Sequence, residues 1–225
     1  MLHPASPTNP PVAGVMALPE AARAAGAPAH WGAYIGVASL AETLAAALAL
    51  GARFCMPEME IPGIGRIATL QDPEGAPFAL FQPAAACPAA ACEDTPAPAM
   101  GQAGHFAWAE LRSPAGGKAL GFYGALFGWQ AGPVHEIEMA GSYQLFAAGA
   151  EAQALGGMMG LPQPGMPAHW MYYVFVEDID TTAARIAAAG GTVLAGPHEV
   201  PGGAWIIQAS DPQGAGFAAV GMRAG

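Results

Sequence analysis

Few side chains in this sequence could do chemistry, and most of those stand beside aromatic residues. His30 and His169 sit in identical PAHW tetrads, Pro28–Trp31 and Pro167–Trp170, while His105 opens the stretch GHFAWAEL that also carries Trp108 and Glu110 and leads to Arg112. An imidazole can bind a metal or move a proton. A carboxylate beside Trp108 in a closed hollow could titrate high and act as a general base. The plainer reading pairs Glu110 with Arg112 and lets each histidine hydrogen-bond to a neighbouring loop. Three cysteines, Cys55, Cys87 and Cys92, make an odd count without zinc spacing, which suits a reducing cytoplasm better than a disulfide framework. Cys87 and Cys92 have no nearby His or third Cys, so they read as incidental rather than as a redox or metal pair. No Ser-His-Asp order, phosphate-cradling glycine loop or paired-carboxylate motif appears.

These residues have to be positioned by repeated elements. Laid at an offset of 139 without a gap, residues 28–81 match residues 167–220 at about a third of positions, including PAHW and the DPxGA turns at Asp72 and Asp211. A period of that kind marks repeated supersecondary units. The first repeat reads as a strand from Trp31, a helix capped by Ser39 and stopped by Gly51, and three strands with the turn DPEG between the last two. A second repeat runs from HFAWAELRS through a helix ended by Gly128 to the strand AQALGGMM. The third runs from WMYYVFVE, through a helix capped by Asp178 or Asp180, to AGFAAVGM. The expected class is α+β, with three βαβββ units. Residues 1–11 read as disordered, 12–83 as a single βαβββ half-domain, 84–103 as an Ala/Pro linker, and 104–222 as a complete two-unit domain.

Bulk properties exclude several classes. With 53% hydrophobic and 11% charged residues and a net charge of -10, the chain suits neither phosphate backbones nor anionic lipid as a partner. The longest apolar stretch, Leu40 to Leu50, is too short to span a bilayer and carries Glu42. The N-terminal segment has no basic or apolar region of a signal peptide, so the expected location is the cytoplasm. One lysine beside six arginines and abundant alanine fits a bacterial chain of high-GC origin.

The helix ending FY..LFGW, Phe122–Trp129, and the DPxG turn before the last strand resemble the vicinal oxygen chelate superfamily of glyoxalases, bleomycin-resistance proteins and extradiol dioxygenases. The WxEL strand, GGMM and PAHW resemble a bacterial subgroup with two tandem domains, of which the first βαβββ unit is lacking here. The resemblance implies that units 104–222 pair into a cup, with residues 12–83 an orphan half-domain. It also implies metal-ligand positions at Gly32, Ala79, Trp108, Met171 and Ala218, none of which is a usual ligand type. Two-residue alternation then turns Phe106, Trp108, Glu110, Arg112, Met171, Tyr173 and Phe175 into the cup, and Tyr172, Val174 and Val176 toward the helix.

The expected function is therefore a metal-free, cofactor-free member that binds a small apolar organic molecule on those seven residues, with Glu110 the one catalytic candidate. The enzyme alternative is a glyoxalase-like or dioxygenase-like lyase or oxidoreductase holding a metal on His169, Glu110 and Gln153. A third reading is a structural or assembly protein whose cup is filled by its own side chains. Two chains are expected to pair as a homodimer through the 12–83 unit, since half a cup alone exposes an apolar sheet face.

Overall fold

The computed structural model describes residues 13–24, 26–84, 101–137, 141–150 and 152–223. The expected disordered start, most of the expected linker, and Cys87 and Cys92 lie outside the described residues. A short helix, α1 (Glu20–Ala24), precedes the repeats where the sequence showed no usable period. Its EAARA sequence is rich in the best helix former, with an acid in the first turn and a base in the last.

Strand–helix–three strands then recurs along the chain, and the molecule is mixed α+β with sheet dominant. The first set is β1 (Tyr34–Gly36), α2 (Leu40–Ala49), β2 (Arg53–Ile61), β3 (Gly65–Gln71) and β4 (Pro77–Pro83). The second is β5 (Phe106–Arg112), a 3-10 turn at Gly116–Ala119, α3 (Leu120–Phe127), β6 (Gln130–Ile137), β7 (Gly141–Ala147) and β8 (Ala154–Met159). The third is β9 (His169–Asp178), α4 (Ile179–Ala188), β10 (Thr192–Glu199), β11 (Trp205–Ser210) and β12 (Gly216–Met222). Strand β1 is shorter than the sequence pattern from Trp31 to Ser39, because Gly32 and Gly36 give that segment little side-chain support.

The 139-residue offset is kept in caps, register and turns. Ser39 accepts from Glu42 N and Asp178 from Thr181 N, so both helices start on the same cap. Register repeats as well: Tyr34 pairs with Ala79 across β1 and β4, and Tyr173 with Ala218 across β9 and β12. Asp72 and Asp211 each use one carboxylate oxygen to accept two backbone N–H groups of their own DPxG turns.

The chain divides into two compact units. One comprises Gly32–Glu93 and Trp108–Trp170, and the other Met1–Trp31, Asp94–Ala107 and Met171–Gly225. In the first of these, β1-β4-β3-β2 and β5-β8-β7-β6 are separate four-strand orders served by one core. Leu40, Leu44 and Ala47, one stripe of α2, are buried in the same cluster as Leu111, Tyr123, Phe146 and Met158 of the second repeat. Phe78 meets Phe122, Tyr123 and Phe127 edge-on at 5.7, 5.8 and 6.4 Å. Each such side chain removed from water stabilises by about 1.5–3 kcal/mol. The first repeat is thus seated, helix side down, on α3.

One hydrogen-bond chain threads this core. Trp170 Nε1 donates to the Tyr123 hydroxyl at 3.1 Å, and that hydroxyl donates to Asp72 Oδ2 at 2.8 Å. Burial holds the Asp72 carboxyl above its ordinary range, against the lowering effect of its hydrogen bonds from Ala76, Tyr123 and Glu74. A carboxyl raised on folding adds stability that is complete below its unfolded value, near pH 4, and is lost as pH climbs through the folded one. Thermal unfolding from pH 3 to 7 should therefore show the Asp72→Asn variant gaining on the native chain as pH rises. A constant difference between the two would remove the raised carboxyl.

In the other unit the order is β10-β11-β12-β9, with α4 against it over Ile179, Ile207 and Ala219. Phe175 exchanges backbone bonds with Gly104 and His105, which ties the 101–107 segment to β9. Among the described residues no helix is long and apolar enough to cross a membrane.

Candidate ligand-binding site

Strand β5 turns Ala109 and Leu111 toward the α3 core, and the alternation leaves Trp108, Glu110 and Arg112 on its opposite face. There they form one connected polar group. Arg112 places both Nε and an Nη at 2.7 Å from Glu110 Oε1, and Tyr143 OH donates to Oε2 at 3.1 Å. Trp108 Nε1 in turn donates to Tyr143 OH at 2.8 Å. Glu110 and Arg112 are 6% and 9% exposed, so this ion pair lives in a desolvated place where each charge depends on the other. The structural reading of Glu110 is the one its contacts describe, because both carboxylate oxygens are already in use.

The tyrosine was missing from the sequence-based site. Tyr143 opens the strand YQLFAAG, but only register shows that it arrives over Gly157, the residue paired with Glu110. A Cβ at Gly157 would fall on the Tyr143 ring, and one at Gly156 on the Ala109 carbonyl and the Phe146 ring. GGMM is small because strands and rings close over it; Met158 beside it is fully buried.

The remaining predicted site residues belong to the other unit. Tyr173 is buried and accepts from Gln208 Nε2 at 3.3 Å, with Ala218 between them in register. Met171 is half-buried. Phe106 is 42% exposed and lies edge-on to Tyr172 at 6.3 Å, so it keeps company with a residue expected on the helix side. Phe106 and Phe175 both border a groove beside α4. His169 and His30 repeat each other again, each Nδ1 donating to the carbonyl of the proline two residues earlier, at 2.9 and 2.8 Å. His105 Nε2 and Ser113 Oγ are buried without a hydrogen-bond partner among the described residues.

A family model described as the Glyoxalase/Bleomycin resistance protein/Dioxygenase superfamily matches residues 102–218. The chain belongs to that superfamily. Among its relatives is CFP32 of Mycobacterium tuberculosis (strain CDC 1551 / Oshkosh), a protein provisionally named a glyoxylase, 35% identical over 206 residues, 92% of this chain and 74% of the relative. The anthracycline biosynthesis protein DnrV of Streptomyces peucetius is 28% identical over 215 residues, 89% of this chain and 68% of the relative. Two solved structures share the fold. The 2,3-dioxygenase LapB from Pseudomonas sp. KL28 has a TM-score of 0.52 at 16% identity, with 85% of this chain and 72% of that one covered. The Mn(II)-bound glyoxalase from Novosphingobium aromaticivorans has 0.51 at 16%, with 83% and 60% covered.

A superfamily with metal-bound members raises the question whether these side chains could hold one. They do not fit. Of the alternative set His169, Glu110 and Gln153, Glu110 is engaged by Arg112 and Tyr143, and His169 has one ring nitrogen on Pro167. Gln153 is exposed and precedes β8, which begins at Ala154, so it is not on the strand where the sequence reading put it. Among the described residues no group of three or more His, Cys, Asp or Glu side chains could hold a metal ion.

Proposed function

We propose that this superfamily member is a metal-independent binding protein for a small, mostly apolar organic molecule. The ligand lies against the Trp108 face of β5. The observation that carries this reading is the connected chain Trp108–Tyr143–Glu110–Arg112: it spends the Glu110 and Arg112 charges on each other and leaves a half-buried indole whose N–H is anchored. A fixed aromatic plane favours flat, conjugated ligands, which stack on it. The name of the anthracycline biosynthesis relative agrees with an aromatic ligand class. The burial of Glu110, Arg112, Tyr143 and Tyr173 by the protein itself favours a second reading, a face filled for assembly rather than for ligand.

A thermal-shift panel of planar aromatic compounds separates the two, run on protein purified without chelator and analysed for metal. A binder whose affinity falls by about 1 kcal/mol or more in Trp108→Ala supports the binding reading. Stoichiometric metal overturns it, as does a binder indifferent to Trp108, and a panel with no binder leaves the filled face. Homodimerisation through the first repeat belongs to the same proposal. Tyr34 of β1 and Met59 of β2, 55 and 45% exposed, stand on the sheet face turned away from the core residues Leu70 and Leu80, the face such pairing would cover. Light scattering should then give twice the chain mass, and a monomer would end that part.

A further inference from the structure

The first compact unit shows what kind of group a PAHW tryptophan and a DPxG aspartate hold together. There the Tyr123 hydroxyl accepts from Trp170 Nε1 at 3.1 Å and donates to Asp72 Oδ2 at 2.8 Å, while its ring stacks on Trp129 and meets Phe78 edge-on. The pair grips a phenol. At the 139-residue offset Trp170 becomes Trp31 and Asp72 becomes Asp211. Both of these belong to the second compact unit and line one groove of about 660 Å³, a volume within the roughly 300–1,000 Å³ of pockets that take small organic molecules. Trp31 Nε1 is buried with no hydrogen-bond partner among the described residues. Asp211 accepts its two turn N–H groups on Oδ1, and among the described residues Oδ2 accepts nothing.

The apolar lining repeats as well. Val174, Val176, Phe217 and Ala219 border the groove, and their counterparts Ile35, Val37, Phe78 and Leu80 belong to the core around Tyr123. Exposure differs between the copies: Asp72 and Phe78 are buried, whereas Asp211 and Phe217 are half-buried and open to a ligand. The groove does not use Trp108, Glu110, Arg112 or Tyr143.

We propose that this groove is a second ligand site, which takes a small planar phenol. The ring lies on Phe217 and the two valines, and the hydroxyl accepts from Trp31 Nε1 and donates to Asp211 Oδ2. Only a hydroxyl answers both groups at once. An ether oxygen can accept from the indole but has nothing to give the carboxylate. A carboxylate adds negative charge where Glu177, Asp178 and Asp211 already outnumber Arg185. A second copy of this chain does not supply the phenol through Tyr123, because that hydroxyl is committed to its own Asp72 and Trp170.

The test titrates three probes of one shape, 2-naphthol, 2-methoxynaphthalene and 2-naphthoate, into the full chain. The readout is the Trp31 indole N–H signal in nuclear magnetic resonance, assigned by its absence from Trp31→Phe. Naphthol should move that signal saturably and bind about fivefold or more tightly than either of the others. Asp211→Asn keeps the turn bonds on Oδ1 but puts a donor where Oδ2 accepted. It should weaken naphthol about tenfold and leave the methyl ether unchanged. If that variant does not fold, calorimetry on Trp31→Phe decides instead, with the same loss expected for naphthol. A Trp31 signal that naphthol does not move overturns the proposal, as does an ether that binds as well as naphthol or a naphthoate that binds better. Weakening of naphthol in Trp108→Ala but not in Asp211→Asn would place the phenol on the β5 face, which overturns the groove site and leaves the proposed function standing.

Discussion

Replacing Arg112 with leucine should lower the unfolding free energy by about 3–5 kcal/mol, because the change leaves the Glu110 carboxylate buried without its counter-charge. The Glu110 carboxylate would lose both guanidinium contacts. The double variant Glu110→Gln with Arg112→Met should recover most of that loss, since removing both charges also removes the cost of burying them. Urea denaturation of the two single variants and the double variant gives the coupling directly. An Arg112→Leu chain within 1 kcal/mol of the native one would mean that water reaches Glu110.

Gly157→Ala is the second large effect. The new methyl would occupy the place of the Tyr143 ring, so either the β8 backbone shifts or the ring leaves, and the ring holds the bonds to Trp108 and Glu110. Overpacking of this kind together with lost buried hydrogen bonds should cost about 2–4 kcal/mol. Gly160→Ala is the control three residues on, where an added Cβ meets nothing within 4 Å and the change should stay within about 0.5 kcal/mol. Near-ultraviolet circular dichroism should register the loss of the Trp108–Tyr143 contact in Gly157→Ala. Equal stability of the two variants would remove the close approach.

Both effects arise where the sequence was least explicit. Alternation along FAWAELR correctly set Glu110 and Arg112 on one side and Leu111 on the other, since strand period is a local property of covalent geometry. The same rule could not reveal Tyr143 above Gly157, which depends on how two distant strands slide into register. Nor could alternation show that Phe106 lies edge-on to Tyr172.

The sequence by itself determined the superfamily, the repeat and nearly every element: its caps, glycine stops and DPxG turns act within a few residues, so equivalent cap and turn residues give equivalent local bonds at Ser39 and Asp178 or at Asp72 and Asp211. Which repeat each repeat would choose as neighbour was decided only in three dimensions. The shared core of the first repeat's helix side and α3 of the second could not be read from the order of units along the chain. The reason is physical: hydrophobic stripes such as Leu40, Leu44 and Ala47 announce that a face must be covered, but burial is non-directional and names no partner. Only the packed structure shows the Tyr123 hydroxyl held between Trp170 and Asp72.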